Sequence, residues 1–137
     1  MADHLLDTCA AIWLMNGDPL QEPAATELPR ALERNEQLIV SPITAWEIAT
    51  LSAKKRIQLT LRPEVWFRRL CGLPGVSLAD LPPSVLIAST TLPGEPPADP
   101  ADRILIATAR EFDYSLITRD RQILDYALSG HVRAMAC

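Results

Sequence analysis

Four acidic residues, Asp7, Glu47, Asp102 and Asp120, occupy positions from which their carboxylates can share one site, although almost the whole chain lies between the first and the last. Asp7 closes the short apolar run His4-Leu5-Leu6. Glu47 falls in the first turns of a helix that follows Leu38-Ile39-Val40. Asp102 opens a helix, and Asp120 follows the apolar run Tyr114–Thr118. In an open parallel sheet, ligands bind beyond the carboxyl ends of the strands, near the point where strand order reverses. Asp7, Glu47 and Asp120 follow strands at that end, and the helix opened by Asp102 must start near it. Carboxylates brought together repel one another unless a cation holds them. An all-oxygen ligand set with no accompanying His or Cys selects hard Mg²⁺ or Mn²⁺ over zinc. Such ions activate water and stabilise charge developing on a phosphoryl group.

Each acid also has a plain structural explanation. Asp7 and Asp120 could cap helices, Thr44-Ala-Trp-Glu47 matches a capping box, and Asp99-Pro-Ala-Asp102 resembles one. Taken singly, a cap is the commoner role. Only the convergence of the set favours a metal site, and at this level both readings stand.

The elements that must position these residues read as alternating strands and helices. His4–Asp7 forms a strand, and a helix follows through Ile12, Trp13 and Met15 with Thr8 as its N-cap; Gly17-Asp18-Pro19 stops it. A second helix spans about 24–35. Leu38–Ser41 is the next strand, and Pro42 starts a helix to about Lys55. That helix is apolar over most of its circumference, with a narrow polar strip of Glu47, Thr50 and Lys54, which predicts burial against a sheet on one side and a second subunit on another. Short helices are expected at 63–70 and 83–92, with a strand at 76–80 between them. Asp99-Pro100-Ala101-Asp102 is a helix start, with Asp at the N-cap and Pro at the first helical position. From there Leu105, Ile106, Ala109 and Phe112 recur at helical spacing, with Asp102 at the head of their face. A strand at 114–118, a helix from Arg119-Asp120-Arg121 and a last strand at 132–135 complete the chain. Strands alternating with helices imply right-handed βαβ units and an α/β fold: a three-layer α/β/α sandwich on a mainly parallel sheet.

The 137 residues suit a single domain, 1–137, able to bury roughly two-thirds of its unfolded surface. No apolar run approaches the roughly 20 residues of a membrane span, and MADHLLDT lacks a signal-peptide pattern, so a cytoplasmic location is expected with no membrane partner. Cys9, Cys71 and Cys137 are odd in number, lack metal-ligand spacing and read as buried or incidental thiols. The net charge of −4 argues mildly against a nucleic-acid coat protein. Yet five acids, Asp99 included, belong to the expected site, and bound divalent metal would offset them. A nucleic-acid substrate is therefore compatible with this composition.

LLDTCAAIWL, SPITAWEIATL, DPADRILIATA and LITRD, in that order and at these separations, resemble the motifs of PIN-domain ribonucleases, and among them those of the VapC-type toxins of type II toxin–antitoxin pairs. The resemblance covers nearly the whole chain, apart from 56–97, which carries none of the motifs. It implies that Asp7, Glu47, Asp102 and Asp120 are the acidic quartet that binds Mg²⁺ or Mn²⁺. Asp99 matches a further acid of the DPxDR form, and Thr118 and Arg103 flank the site. The sequence departs from the pattern at Cys9, where members resembling this one often carry His. The implied activity is endonucleolytic hydrolysis of RNA phosphodiester bonds, with a cognate antitoxin as partner and a homodimer as the assembly.

Two rival readings remain at this stage. A catalytically silent PIN-like module that binds RNA or protein would keep these acids as caps only. A signalling receiver also gathers acids around Mg²⁺, but it needs a lysine after its last strand, and no lysine follows Val132.

Overall fold

In a computed structural model describing residues 3–137, each short apolar run becomes a strand, and every strand but the last is followed by a helix. The strands are β1 (His4–Leu6), β2 (Leu38–Val40), β3 (Val76–Leu78), β4 (Ser115–Thr118) and β5 (Arg133–Ala136). All pair in parallel, in the order β3-β2-β1-β4-β5. The helices are α1 (Thr8–Asn16), α2 (Ala24–Glu33), α3 (Pro42–Ala53), α4 (Pro63–Cys71), α5 (Pro83–Ala88), α6 (Pro100–Phe112) and α7 (Arg121–Leu128).

Strand alternation sorts the core into two layers. Leu6, Leu38, Val40 and Ile117 face Ala10, Ala11, Leu28, Ile48, Trp66 and Leu70 of the first four helices. Leu5, Ile39 and Leu116 face Leu105, Ile106, Ala109, Ile123 and Tyr126 of α6 and α7. The α/β/α sandwich follows, with a sheet that is wholly parallel. Because the chain builds outward from β1 first to β2 and β3, then on the other side to β4 and β5, the strand order reverses between β1 and β4. Asp7 and Asp120 lie just past the carboxyl ends of these two strands, at the switch point where such sheets bind ligands.

Several local expectations are corrected. The N-cap of α1 is Asp7, not Thr8: the Asp7 carboxylate accepts from the Ala10 amide at 2.7 Å. Ser41, not Thr44, caps α3 through the Ile43 amide, so Thr44 and Glu47 form no capping box. Helix α5 stops at Ala88, where the Ser89 and Thr90 hydroxyls turn back to the Leu86 and Ile87 carbonyls in place of further helix. One flank of α3 is buried through Thr44 and Ile48, while Trp46 on another is 61% exposed. At the end of α1, Gly17 takes a left-handed φ of 71° and its amide bonds the Leu14 carbonyl. The Asp18 amide bonds the Trp13 carbonyl, completing a Schellman-type stop that fixes the last turn, with Trp13 in it.

Candidate active site

The cleft at the switch point has a volume of about 300 Å³ and is lined by Asp7, Glu47, Asp102 and Asp120 together with Thr8, Cys9, Trp13 and Arg119. The four acids predicted to converge do so. A larger hollow of about 620 Å³, between the proline-rich loop and α7, contains none of them.

Each acid is held by the local structure in its own way. Asp7 is buried; one carboxylate oxygen caps α1 and the other accepts from the Thr118 hydroxyl at 2.6 Å. The same Thr118 oxygen accepts from the Asp120 amide at 3.0 Å, so one fully buried hydroxyl ties together the ends of β1 and β4. Asp120 caps α7 with a single oxygen, bonded by the Gln122 and Ile123 amides. Glu47 accepts from the Thr8 hydroxyl, which also lies 3.4 Å from the Thr44 hydroxyl. Asp99 caps α6 by accepting from the Asp102 amide at 3.0 Å, which leaves the Asp102 side chain with no capping bond of its own. Arg103 gives its Nε to the Pro97 carbonyl at 2.6 Å; neither it nor Asp99 or Thr118 lines the cleft.

The electrostatics are those of an acidic cluster facing inward. Burial first, then the charges of Asp99, Asp120, Glu47 and Asp7, pushes the Asp102 carboxyl up to about 7. Burial likewise raises Glu47 against the hydrogen bond from Thr8. It raises Asp7 as well, against hydrogen bonds from Thr118 and Ala10 that favour its charged form. Cys9, at the exposed rim, is lifted to about 11 by burial and by Asp7, Glu47 and Asp102, so it stays a thiol at neutral pH and is no nucleophile.

These residues suit a hard divalent cation. The donors are all oxygen, and two of them, Glu47 and Asp102, cap no helix yet face the cleft. The disfavoured charges are those a cation would relieve. A tighter trio, His4, Glu27 and Glu36, has ligand atoms all within 4.8 Å of one another. There, however, Arg34 already occupies the centre, donating to Glu36 at 2.8 Å and Glu27 at 2.5 Å, and His4 bonds Glu36. Arg34 first, then His4, holds Glu36 below the usual carboxylate range. That trio is an ion-pair network at the far end of β1.

Thr118→Val tests the tie between the strands. Valine fills the same space but strands the buried Asp7 oxygen and takes from the Asp120 amide its acceptor. A loss of about 1–3 kcal/mol is expected in urea denaturation.

Sequence reasoning missed Thr8, Trp13, Cys9 and Arg119 as cleft residues. Thr8 and Arg119 adjoin predicted acids, a signal that could have flagged them. Nothing in the spacing pointed to Trp13, whose place depends on how α1 packs.

A parallel sheet in the order 3-2-1-4-5, with carboxylates gathered at its switch point, defines a class, and the chain belongs to it: the PIN domain family, whose profile matches residues 4–128. Among its relatives, the chain is 34% identical over 123 residues to Ribonuclease VapC22 of Mycobacterium tuberculosis, covering 90% of this chain and 91% of that one. It also resembles a toxin–antitoxin complex from Klebsiella pneumoniae, at 26% identity and TM-score 0.57 over 88% of this chain and 90% of that one. The fold alone is shared with VapBC2 from Rickettsia felis bound to a DNA fragment from their promoter, at 12% identity and TM-score 0.67 over 97% of each chain.

Proposed function

We propose that this chain, acting as the single domain 1–137, is a Mg²⁺- or Mn²⁺-dependent endoribonuclease that hydrolyses RNA phosphodiester bonds, the toxin of a toxin–antitoxin pair. The observation that carries this reading is the pair Glu47 and Asp102: neither caps a helix, yet both join Asp7 and Asp120 in one cleft. The ribonuclease named above, similar along nine-tenths of the chain, supports the substrate class.

Asp7, Glu47, Asp102 and Asp120 would hold the cation. When bound, it lowers the pKa of water and stabilises charge growing on a phosphoryl oxygen. The chain supplies orientation. Thr118 and the Ala10 amide fix both oxygens of Asp7, and Thr8 fixes one oxygen of Glu47. The Gln122 and Ile123 amides fix Asp120. Asp102 is the member without such a tether, and in cation-free protein its carboxyl keeps a proton close to neutral pH. Preorganised carboxylates place charge where it is needed without rearrangement during reaction.

Cleavage of a fluorescent single-stranded RNA by purified protein with Mg²⁺ or Mn²⁺, and its arrest by EDTA, tests the reading. Intact RNA under both conditions would remove it. The competing reading, a silent binding module, draws on the capping roles of Asp7, Asp99 and Asp120. It predicts that calorimetry detects no divalent-cation binding at all.

The proposed partners are a second copy of this chain and a cognate antitoxin. Large apolar side chains left in solvent, Trp46 at 61% and Ile87 at 69% exposed, support both as surfaces to be covered. An amphipathic antitoxin segment in an apolar groove is the expected mode. A clean monomer in light scattering at micromolar concentration would remove the homodimer. Among the described residues no helix is long and apolar enough to cross a membrane, and a cytoplasmic location is part of the proposal.

A further inference from the structure

Among the described residues, Arg119 is the sole cationic side chain lining a cleft that otherwise holds four carboxylates. Its guanidinium carbon sits 3.3 Å from the centroid of the Trp13 ring, and its Nε donates to the main-chain oxygen of Cys137 at 3.0 Å. Among the described residues it forms no ion pair with an acidic side chain, although Asp120 is its neighbour in sequence and Asp7 shares the cleft. A flexible exposed arginine beside acids would ordinarily fold onto one of them. Stacking on an aromatic face and a backbone hydrogen bond hold this one in a fixed plane instead. Among the described residues its two terminal amino groups meet no acidic side chain, and the Cys137 thiol lies beside the guanidinium.

We infer that Arg119, clamped flat on Trp13 and tied to the main-chain oxygen of Cys137, is the phosphate-binding residue that seats the RNA backbone over the acidic quartet. The inference rests on the ribonuclease reading and adds to it the group that receives the substrate. A cleft of carboxylates repels a polyanion, and the repulsion is strongest where the scissile phosphate must approach. A cation held by the quartet offsets part of that charge but binds from within the cleft. A guanidinium at the rim supplies the remainder and, with two parallel N–H donors in a rigid fork, sets the angle of the phosphate as well. Lysines 54 and 55 are exposed at the end of α3 and are not part of the cleft lining, so they cannot provide this orientation. Trp13 keeps the fork from collapsing onto Asp120. Its own position is set by the Gly17 stop at the end of α1 and by packing against the core of the first layer.

The test measures binding of a short single-stranded RNA in EDTA, by fluorescence anisotropy across a salt series, and steady-state cleavage in Mg²⁺. Arg119→Gln is exposed and should fold. It is expected to weaken binding about tenfold and to make the log–log salt slope shallower by roughly 0.7, the value for one lost phosphate contact on a single strand. Its cleavage defect should fall mainly on KM. Arg119→Lys should restore the salt slope, because the charge returns, but not the affinity, because the planar fork and the stack do not. Trp13→Leu, with Arg119 intact, should keep the slope and lose affinity several-fold, which separates the platform from the charge. Cleavage by wild type together with wild-type affinity and slope in Arg119→Gln would overturn the clamp and leave the nuclease standing. Full recovery of affinity by Arg119→Lys would also overturn it, since any cation would then suffice. A wild-type protein that neither binds nor cuts RNA would remove the nuclease reading, and the clamp with it.

Discussion

Asp7→Asn is expected to lower RNA cleavage at least about a hundredfold while the metal-free protein melts no lower than wild type. The two halves of that result have different causes. Asp7 lies at the centre of the switch point, buried, with one oxygen committed to the Ala10 amide and the other to Thr118. Asparagine is as good an N-cap as aspartate, so the bond to Ala10 survives. The amide nitrogen then faces the Thr118 oxygen, which can accept once its own hydroxyl hydrogen rotates away. One buried charge disappears from a cluster in which burial and the Asp120 charge already disfavour it. What is lost is the negative charge that would help hold the cation. Asp7→Ala makes the contrast: it removes the cap and every polar partner that residue 7 gives Thr118, and about 1–3 kcal/mol of stability should go with them. Cleavage of labelled RNA in Mg²⁺, alongside melting in EDTA, reads both halves. A fully active Asp7→Asn would mean that the cleft does not carry the chemistry.

The second large effect concerns pH. In EDTA the wild-type protein is expected to lose stability, relative to Asp102→Asn, as pH rises from about 4 to about 7. The Asp102 carboxyl ionises near its ordinary value of 3.8 in the unfolded chain and at about 7 in the fold. Between those values the native state binds more protons than the unfolded state, and stability then falls with rising pH. Below the window both states are protonated, and above it both are ionised. The raised Asp7 and Glu47 act in the same direction. Glu36 acts in the opposite one, since Arg34 lowers it, and its contribution is lost as pH falls through the acid range. Taking the difference between wild type and Asp102→Asn removes Glu36, which lies in the separate network at the far end of β1. Divalent cation must compete with the Asp102 proton, so Mg²⁺ should raise the melting temperature of wild type more at pH 8 than at pH 5, and that of Asp102→Asn little at either. Low ionic strength keeps the repulsion unscreened. A wild-type-minus-variant difference that stays flat from pH 4.5 to 7.5 would contradict the acidic-cluster account.

Much of this architecture can be read in the sequence because its signals are local. Asp99-Pro100 writes the start of α6 in the chemistry of the first turn, and the structure places the cap bond there. The spacing of Leu105, Ile106 and Ala109 names the buried face of α6, and all three are in the core. Short apolar runs separated by helices leave few arrangements other than a parallel sheet covered on both sides. The failures are instructive in the same terms. Thr44-Ala-Trp-Glu47 has the spacing of a capping box, but Ser41 stands three residues earlier, directly before Pro42, and it wins the cap. Glu47, so released, is drawn to Thr8, a residue 39 positions away that no local pattern links to it.

What the sequence determined by itself is the set of elements, their order and the acids at their ends. Those follow from interactions within one or two turns: periodicity, caps and the fixed φ of proline. Tertiary structure alone decided what each carboxylate does besides. Strand order put β1 beside β4, and only that neighbourhood lets Thr118 bond Asp7 across 111 residues. The packing of α1 brought the Trp13 ring beneath Arg119. Burial, which no window of sequence measures, lifted the Asp102 carboxyl to about 7. A cap needs only its own helix, whereas a site needs several chain ends to meet, and that meeting is set by how the layers pack.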